Sequence, residues 1–582
     1  MSLFIENKVK LTAYLKEKVQ NIPSNFDGFI LKGDVSGIQD FIFTIKSRGA
    51  AKTLKSRSFF VQVMTWICLE KIKKELHLTD EKDIVEMDGG GTFFLFIPKD
   101  KFDEKKWEEE IVKKVQDELK YEEIYLVLAY ERVEKKEDIV NAIEGINSKK
   151  LNLSRYRKND LLETIFEPYS QDKILHFQQE TIKDFTKKLS DAKSYKFIKE
   201  KPNTVKCFEE KQITLFEYTY ELNAANGEKS FEGRAINKLP QWDNRLKLAF
   251  SDLIDKVLQE RQEDEKDELQ EDIKEGNIID FDFIAKMAAD RRGTEKLAIL
   301  KLDIDNLGIA FKGKDLKEIK ELSSCLNWFF DNFLLTLLEQ PFCTQKNIEL
   351  TYKDVIYNIY AGGDDCFLVG AWDAIFEFTQ LLQKEFTDFA CFLSKQEHLK
   401  LENKLTISAG IVVVHAKFPV IRFAELAEEA LSEAKKQTDQ NGKITKNAIS
   451  VFGEVISWKE FEEAKKVKEI LIKLSEILKE SNSIRSLLER IKNSIIGYES
   501  LQEKIKNGKV SIQSVWRFNY YLRYIRSNNL KGEDKQKVTE LTDKLVECYQ
   551  KNLINAISGK EYAKAAIFPI AARWTEFLTR KN

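Results

Sequence analysis

The sequence has little of what several common site chemistries require. Its 582 residues include only four histidines, at 77, 176, 398 and 415, and none is followed by aspartate. A His-Asp metal phosphohydrolase centre is therefore not expected. No nucleophile motif accompanies any of the four, so nothing points to a Ser-His-Asp triad. Seven cysteines lie scattered at 68, 207, 325, 343, 366, 391 and 548 without a CxxC pair. Neither a disulfide framework nor a zinc ribbon is supported, and a reducing cytoplasm is the expected location. No apolar run is long enough to span a bilayer. The start, MSLFIENKVKLTAYL, lacks the apolar core of a signal peptide. No membrane partner is expected. The net charge of −2 conceals 94 basic and 96 acidic residues, so the overall balance decides nothing about nucleic acid.

What is present is enough chain for several cores, about three or four domains by length. Two segments carry the same order of elements. FILKGDVSGIQDFIF (29–43) reads as a strand, a glycine turn and a helix, and SFFVQVMTWICLEKI continues as a buried helix. DIVEMDGGGTFFLFIP (83–98) reads as a hairpin, 104–120 as an amphipathic helix and EIYLVLAYERV (123–133) as a strand. Further on, EKLAILKLDIDNLGIAF (295–311) repeats the strand and turn, and a helix follows around 322–340. DVIYNIYAGGDDCFLVG (354–370) repeats the hairpin, 373–395 is a helix, KLTISAGIVVVHA (404–416) a strand and 423–437 a helix. The β-α-β-β-α-β order, a ferredoxin-like pattern, occurs twice. The acidic run 259–276 reads equally as a linker or a solvated helix.

The modules align motif on motif. Asp34 falls on Asp303, Ser36 on Asp305, Gly90 on Gly363, Gly91 on Asp364 and Thr92 on Asp365. Asp34 to Gly90 is 56 residues and Asp303 to Gly363 is 60. A duplicated domain is expected, in which the second copy alone has carboxylates at its hairpin.

Asp303 ends the first strand of its module, and Asp364 and Asp365 sit at the neighbouring hairpin turn, so the three carboxylates should converge. Buried together they would repel. Hard oxygen ligands with room for phosphates suit two Mg²⁺ or Mn²⁺ ions, the arrangement that serves nucleotidyl transfer. Gly362 and Gly363 permit a tight turn and close approach of a nucleotide. Lys435 is placed to neutralise triphosphate charge. Asp305 is either a ligand or bonds the following turn, and Gly89–Gly91 is either a plain hairpin or part of a binding surface. In the C-terminal segment, Arg517, Arg523 and Arg526 alternate with aromatics. They are candidates for RNA backbone or a neighbouring subunit, against a solvated helix face.

GDVSGIQDFIF, KSRSFF, LDIDNLG, AGGDD, SAGIVVVHAKFP and EEALSEAKK together resemble the large polymerase-cyclase subunit of type III CRISPR effector complexes, in its III-A style. The resemblance covers roughly 1–135 and 281–455. It implies an α+β chain with two ferredoxin-like palm (cyclase-type) domains, an intervening mixed domain and a C-terminal helical bundle. The divisions expected are 1–195, 196–280, 281–455 and 456–582. It also implies a subunit that, when guide RNA in its complex pairs with target RNA, turns ATP into cyclic oligoadenylate. An alternative product is a linear conjugate of ATP with S-adenosylmethionine. The rival class is an inactive RNA-binding scaffold, and a diguanylate-type cyclase acting alone is a third reading.

By the resemblance, Asp303, Asp364, Asp365 and the Ile304 carbonyl would ligate metal. Ser36 and Gly37, with Asp34, Gly90 and Gly91, would hold the second nucleotide. Asp305, Asn306, Gly362, Gly363, Ser408 and Lys435 would bind nucleotide. Two departures matter. Many members begin with a His-Asp nuclease domain; here the palm is reached by residue 29, so no single-stranded DNase activity is expected. The zinc insert of the family carries paired cysteines; here that region has only Cys207, so zinc is not expected.

Overall fold

The computed structural model describes residues 2–19, 26–45, 50–78, 84–89, 91–118, 124–134, 138–146, 194–198, 212–215, 218–222, 234–235, 239–260, 263–438, 443–478, 483–494, 518–520, 522–523, 532–558 and 567–580. The chain is a mixed α+β fold. In the first module, β1 (Gly28–Ser36), β2 (Val85–Gly89), β3 (Thr92–Pro98) and β4 (Tyr125–Val133) form one sheet in the order β2-β3-β1-β4. All its pairings are antiparallel. This is the ferredoxin-like order. The helix Ala50–Glu75 has no internal proline or glycine and buries Phe60, Val63, Met64, Ile67 and Ile72. Each such side chain stabilises the fold by roughly 1.5–3 kcal/mol relative to exposure.

The middle region carries β5 (Ser194–Ile198), β6 (Gln212–Leu215), β7 (Tyr218–Leu222) and β8 (Arg234–Ala235), a small sheet in the order β6-β7-β5-β8. Cys207 lies outside the described residues. The acidic run is helical over Glu263–Asp272.

In the second module, β9 (Lys296–Ile304) is followed by a hairpin the sequence reading lacked, β10 (Pro341–Gln345) and β11 (Ile348–Thr351). Then come β12 (Ile356–Gly362), β13 (Asp365–Ala371) and β14 (Ile407–His415). The order β12-β13-β9-β14 repeats the first module, and β15 (Ala448–Val451) and β16 (Glu454–Ser457) extend it to six strands. This extension was also not anticipated, because four-residue strands are too short to show an alternation. The helix Phe423–Lys435 closes on β14 at Gly410, where an added Cβ would stand 2.5 Å from the Leu431 amide nitrogen.

Two capping boxes start helices beside this sheet, Asp315 with Glu318 and Ser457 with Glu460. The N-terminal helix Leu3–Lys18 docks onto the second module. Phe4 enters a nest of Trp328, Phe333, Phe389 and Phe392, and buried Glu385 accepts bonds from the Ser2 hydroxyl and the Phe4 amide. At the other end, Trp574 stacks on Phe461 and meets Phe376. One buried core therefore runs through both modules and the terminal helices. Among the described residues no helix is long and apolar enough to cross a membrane, and the six described cysteines are free.

Candidate functional site

The site is built on the ends of β9 and β13. Asp303 faces Asp365 in the antiparallel register, and on the other side of β9 it faces Ser408. Gly362 pairs with Asp365, leaving Gly363 and Asp364 as a two-residue turn. Gly363 takes φ 68° at the first turn position, where such loops favour glycine. The Ile304 amide donates to the Asp364 carbonyl at 3.0 Å, fixing the turn against the end of β9.

The first module repeats this frame with Asp34 in the place of Asp303 but without acids at the hairpin positions of Asp364 and Asp365. Asp34 faces Thr92 and bonds its hydroxyl at 2.9 Å. The Val35 amide donates to the Gly91 carbonyl at 2.8 Å, matching Ile304 to Asp364. Gly37 (φ 85°) and Asn306 (φ 55°) both take the left-handed conformation and both open a short helix, Ile38–Phe43 and Leu307–Phe311. The residue-by-residue alignment thus extends to individual backbone bonds. Gly90 lies outside the described residues.

The hairpins meet tip to tip. A Cβ on Gly89 would come within 3.2 Å of the Gly363 Cα and of the Asn327 side-chain oxygen. Lys320 of the second module donates to the Glu86 carbonyl of the first. The carboxylate-bearing turn therefore lies against the end of β2 in the first module.

Electrostatics set the acids apart. Burial pushes the Asp365 carboxyl up to about 8, and Asp364 and Asp303 add to the push against a smaller opposing pull from Lys301. Burial also raises Asp303, opposed by the hydrogen bond from Lys435, whose ammonium lies 2.8 Å from it. Asp364 is raised by the surrounding protein, with Lys435 and Lys32 pulling the other way. The residue itself is exposed at the turn.

The three acids do not form a ready-made cage. Among the described residues no three metal-type side chains converge closely enough to hold an ion. The expected convergence is therefore limited to adjacent backbone positions, because like charges repel and Lys435 occupies Asp303. The donor set still suits a divalent cation: hard oxygens only, with three acids against one paired lysine.

Asp305 points elsewhere. Buried, it accepts from the Thr406 and Ser408 hydroxyls and from the Asn447 amide. Its side chain thus ties Thr406, Ser408 and Asn447 rather than the turn that follows it, a role the sequence reading did not offer, and the fully buried Ser408 is engaged with it. Arg523 is exposed on the described part of its helix; Arg517 and Arg526 lie outside the described residues.

Two lysines escaped the sequence reading. Lys32, from the first module, contributes to the potential at Asp364 and lies over the Phe94 ring. Lys301, buried in β9, pairs with Glu428. The signal was available: ILKGD and ILKLD place a lysine two residues before the aspartate in both copies.

Two family models match: Csm1 subunit domain B over residues 28–210, and the second palm domain of Cas10/Cmr2 over 296–445. Together they take in more than half of the chain. A Methanocaldococcus jannaschii protein, "CRISPR system single-strand-specific deoxyribonuclease Cas10/Csm1 (subtype III-A)", is 26% identical over 577 residues, covering 86% of this chain and 68% of that protein. The Mycobacterium tuberculosis protein of the same description is also 26% identical, covering 70% of this chain but only 53% of its own length. Among solved structures, a Csm1-Csm4 subcomplex of the type III-A CRISPR-Csm interference complex superposes with TM-score 0.57 at 17% identity, covering 95% of this chain and 70% of that one. A Csm1-Csm4 cassette in complex with cA4 gives TM-score 0.58 at 17% identity, covering 97% and 71%. At such identities these structures establish a shared fold. Motifs, matched models and architecture agree, and the chain belongs to the Cas10/Csm1 family.

Proposed function

We propose that this chain uses ATP and divalent metal in nucleotidyl transfer to make a second messenger, cyclic oligoadenylate, within a type III CRISPR complex. One observation supports this above the others: two superposable turn frames meet, and only one carries Asp303, Asp364 and Asp365. A site whose hairpin acids lie on one half alone suits one substrate to be activated and one to be presented. The solved relatives bound to one ATP, AMPPNP, pppApA, cA3 and cA4 follow the steps of such a synthesis. The family's Csm1-Csm4 structures point to a Csm4-type subunit as neighbour.

In this reading Asp303, Asp364, Asp365 and the Ile304 carbonyl hold two Mg²⁺ or Mn²⁺ ions. Bound there, the ions would lower the pKa of the attacking hydroxyl and offset charge on the leaving pyrophosphate. The chain's own residues do the rest. Lys435 exchanges its bond to Asp303 for a triphosphate oxygen. Gly362 and Gly363 let the nucleotide lie against the backbone. Asn306 turns the chain at the phosphate end, while Asp305 and Ser408 keep the ends of β9 and β14 together. On the first palm Asp34, Ser36, Gly37, Gly90 and Gly91 present the acceptor nucleotide. Its 3′-hydroxyl gives up its proton to water and attacks the α-phosphorus of ATP, a new P–O bond forms, the bond to the β-phosphate oxygen breaks, and pyrophosphate leaves. Guide and target RNA, and contact through Arg517, Arg523 and Arg526, belong to the same proposal. So do the four domain divisions, and the chain carries no His-Asp pair for DNA cleavage.

The test is to incubate the target-bound complex with labelled ATP, with and without S-adenosylmethionine, and identify products by mass. Cyclic oligoadenylate in both samples supports the reading. A product formed only with S-adenosylmethionine replaces it with the conjugate. No product from either leaves the scaffold.

A further inference from the structure

The two hairpins differ in a backbone feature that the repeat conceals. β2 and β3 run in unbroken register, from Val85 opposite Phe96 to Gly89 opposite Thr92. β12 and β13 do not. Asn358 faces Leu368 and Tyr360 faces Phe367, which leaves Ile359 as an extra residue. Such a β-bulge bends its strand, increases local twist and re-aims the residues beyond it. Beyond Ile359 lie Tyr360, Ala361, Gly362, Gly363 and the acids.

A bulge locally disrupts the ladder, and here the first module reaches it. The carbonyl of Ile359 accepts from the hydroxyl of Ser58, with both residues buried. Ser58 lies on the helix Ala50–Glu75 of the first module, 301 residues away in the chain. A second contact lands on the same spot. Tyr360, the first residue past the bulge, stacks on Phe367 with ring centres 5.5 Å apart. Phe367 in turn meets Phe43 of the first module at 4.8 Å. Phe43 ends the short helix that Gly37 opens. The first module thus grips both strands of the acidic hairpin at its one irregular point.

We propose that Ser58 is a positioning residue for the acidic site: by holding the Ile359 bulge it sets the angle at which Asp364 and Asp365 are presented. The second palm's site is then completed only by the first palm. This rests on the site reading given under Proposed function.

The experiment compares Ser58→Ala, Ser58→Thr and Ser58→Val in the full chain, assembled in its RNA-bound complex, by ATP turnover as a function of ATP and Mn²⁺. Threonine and valine are isosteric, so that pair isolates the hydroxyl even if the alanine variant does not fold. The expected result is a kcat lowered about tenfold or more in the Ala and Val variants, with KM for ATP within about twofold, and recovery in Thr. Their half-maximal Mn²⁺ concentration should rise as well. Equal kcat for Thr and Val, or a loss confined to KM, overturns the proposal. If the wild-type complex yields no ATP product, the site reading has failed separately. Mn²⁺ binding to the full chain, followed by its paramagnetic resonance, then decides: weaker binding in Val than in Thr supports the proposal, and equal binding overturns it.

Discussion

Lys435 holds Asp303 through a 2.8 Å ion pair, so a side chain expected at triphosphate lies instead on an expected metal ligand. The two roles exclude one another in time. Metal must displace the ammonium, and the displaced ammonium is then free to meet phosphate. Lys435→Met should therefore leave Mn²⁺ binding in the absence of nucleotide unchanged or tighter, while raising KM for ATP about tenfold, as loss of a charge-assisted contact does. Titration with Mn²⁺ and steady-state kinetics check the two directions separately. Weaker metal binding would make the lysine a support for Asp303 rather than its competitor.

Asp364→Ala combined with Asp365→Ala should reduce ATP consumption by at least about 10²–10³-fold, since the developing charge loses its stabilising partners. Assembly with RNA should survive. Native electrophoresis of the complex alongside product analysis separates the effects, and retained product would refute the metal-site assignment.

Asp365→Asn should stabilise the metal-free chain at neutral pH. The folded carboxyl is raised to about 8 against an unfolded value near 3.8, so the native state binds the extra proton. Stability therefore falls as pH rises from about 4 to about 8, and is lowest above it. The asparagine variant lacks this slope. Its melting temperature should exceed that of wild type above pH 8, and the gap should close below pH 4. A gap independent of pH would show that packing, not charge, is responsible.

Asp305→Ala removes the acceptor for Thr406, Ser408 and the Asn447 amide in one step. Leaving the buried Ser408 donor unsatisfied costs roughly 1–3 kcal/mol, and the less buried Thr406 and Asn447 donors lose less because water reaches them. A clear drop in denaturation midpoint is expected, with any loss of turnover following from displaced β9 and β14 ends. Unchanged stability with abolished turnover would return Asp305 to the ligand set.

The assembled complex should not cut single-stranded DNA. A metal-dependent cut that persists in the Asp364→Ala, Asp365→Ala variant would reveal a nuclease centre not built from a His-Asp pair.

Most of the site's framework was legible in the chain. The double β-α-β-β-α-β order, the match of Asp34 to Asp303 and Thr92 to Asp365, and the glycine turns come from local patterns, and the strand registers reproduce them. Short strands such as β15 and β16 escaped, as did Lys32 and Lys301, although the paired ILK motifs carried the lysines in plain view.

By itself the sequence determined which half of the duplication has acids at its hairpin and where its turns lie, because side-chain alternation and glycine's backbone freedom act over a few residues. Only the tertiary structure decided how those acids are engaged. Lys435 on Asp303, the inward turn of Asp305, the bulge at Ile359 and the hydroxyl of Ser58 that meets it all depend on segments distant in the chain. Which lone pair is taken, and by whom, is settled by packing between elements, and no local pattern records it.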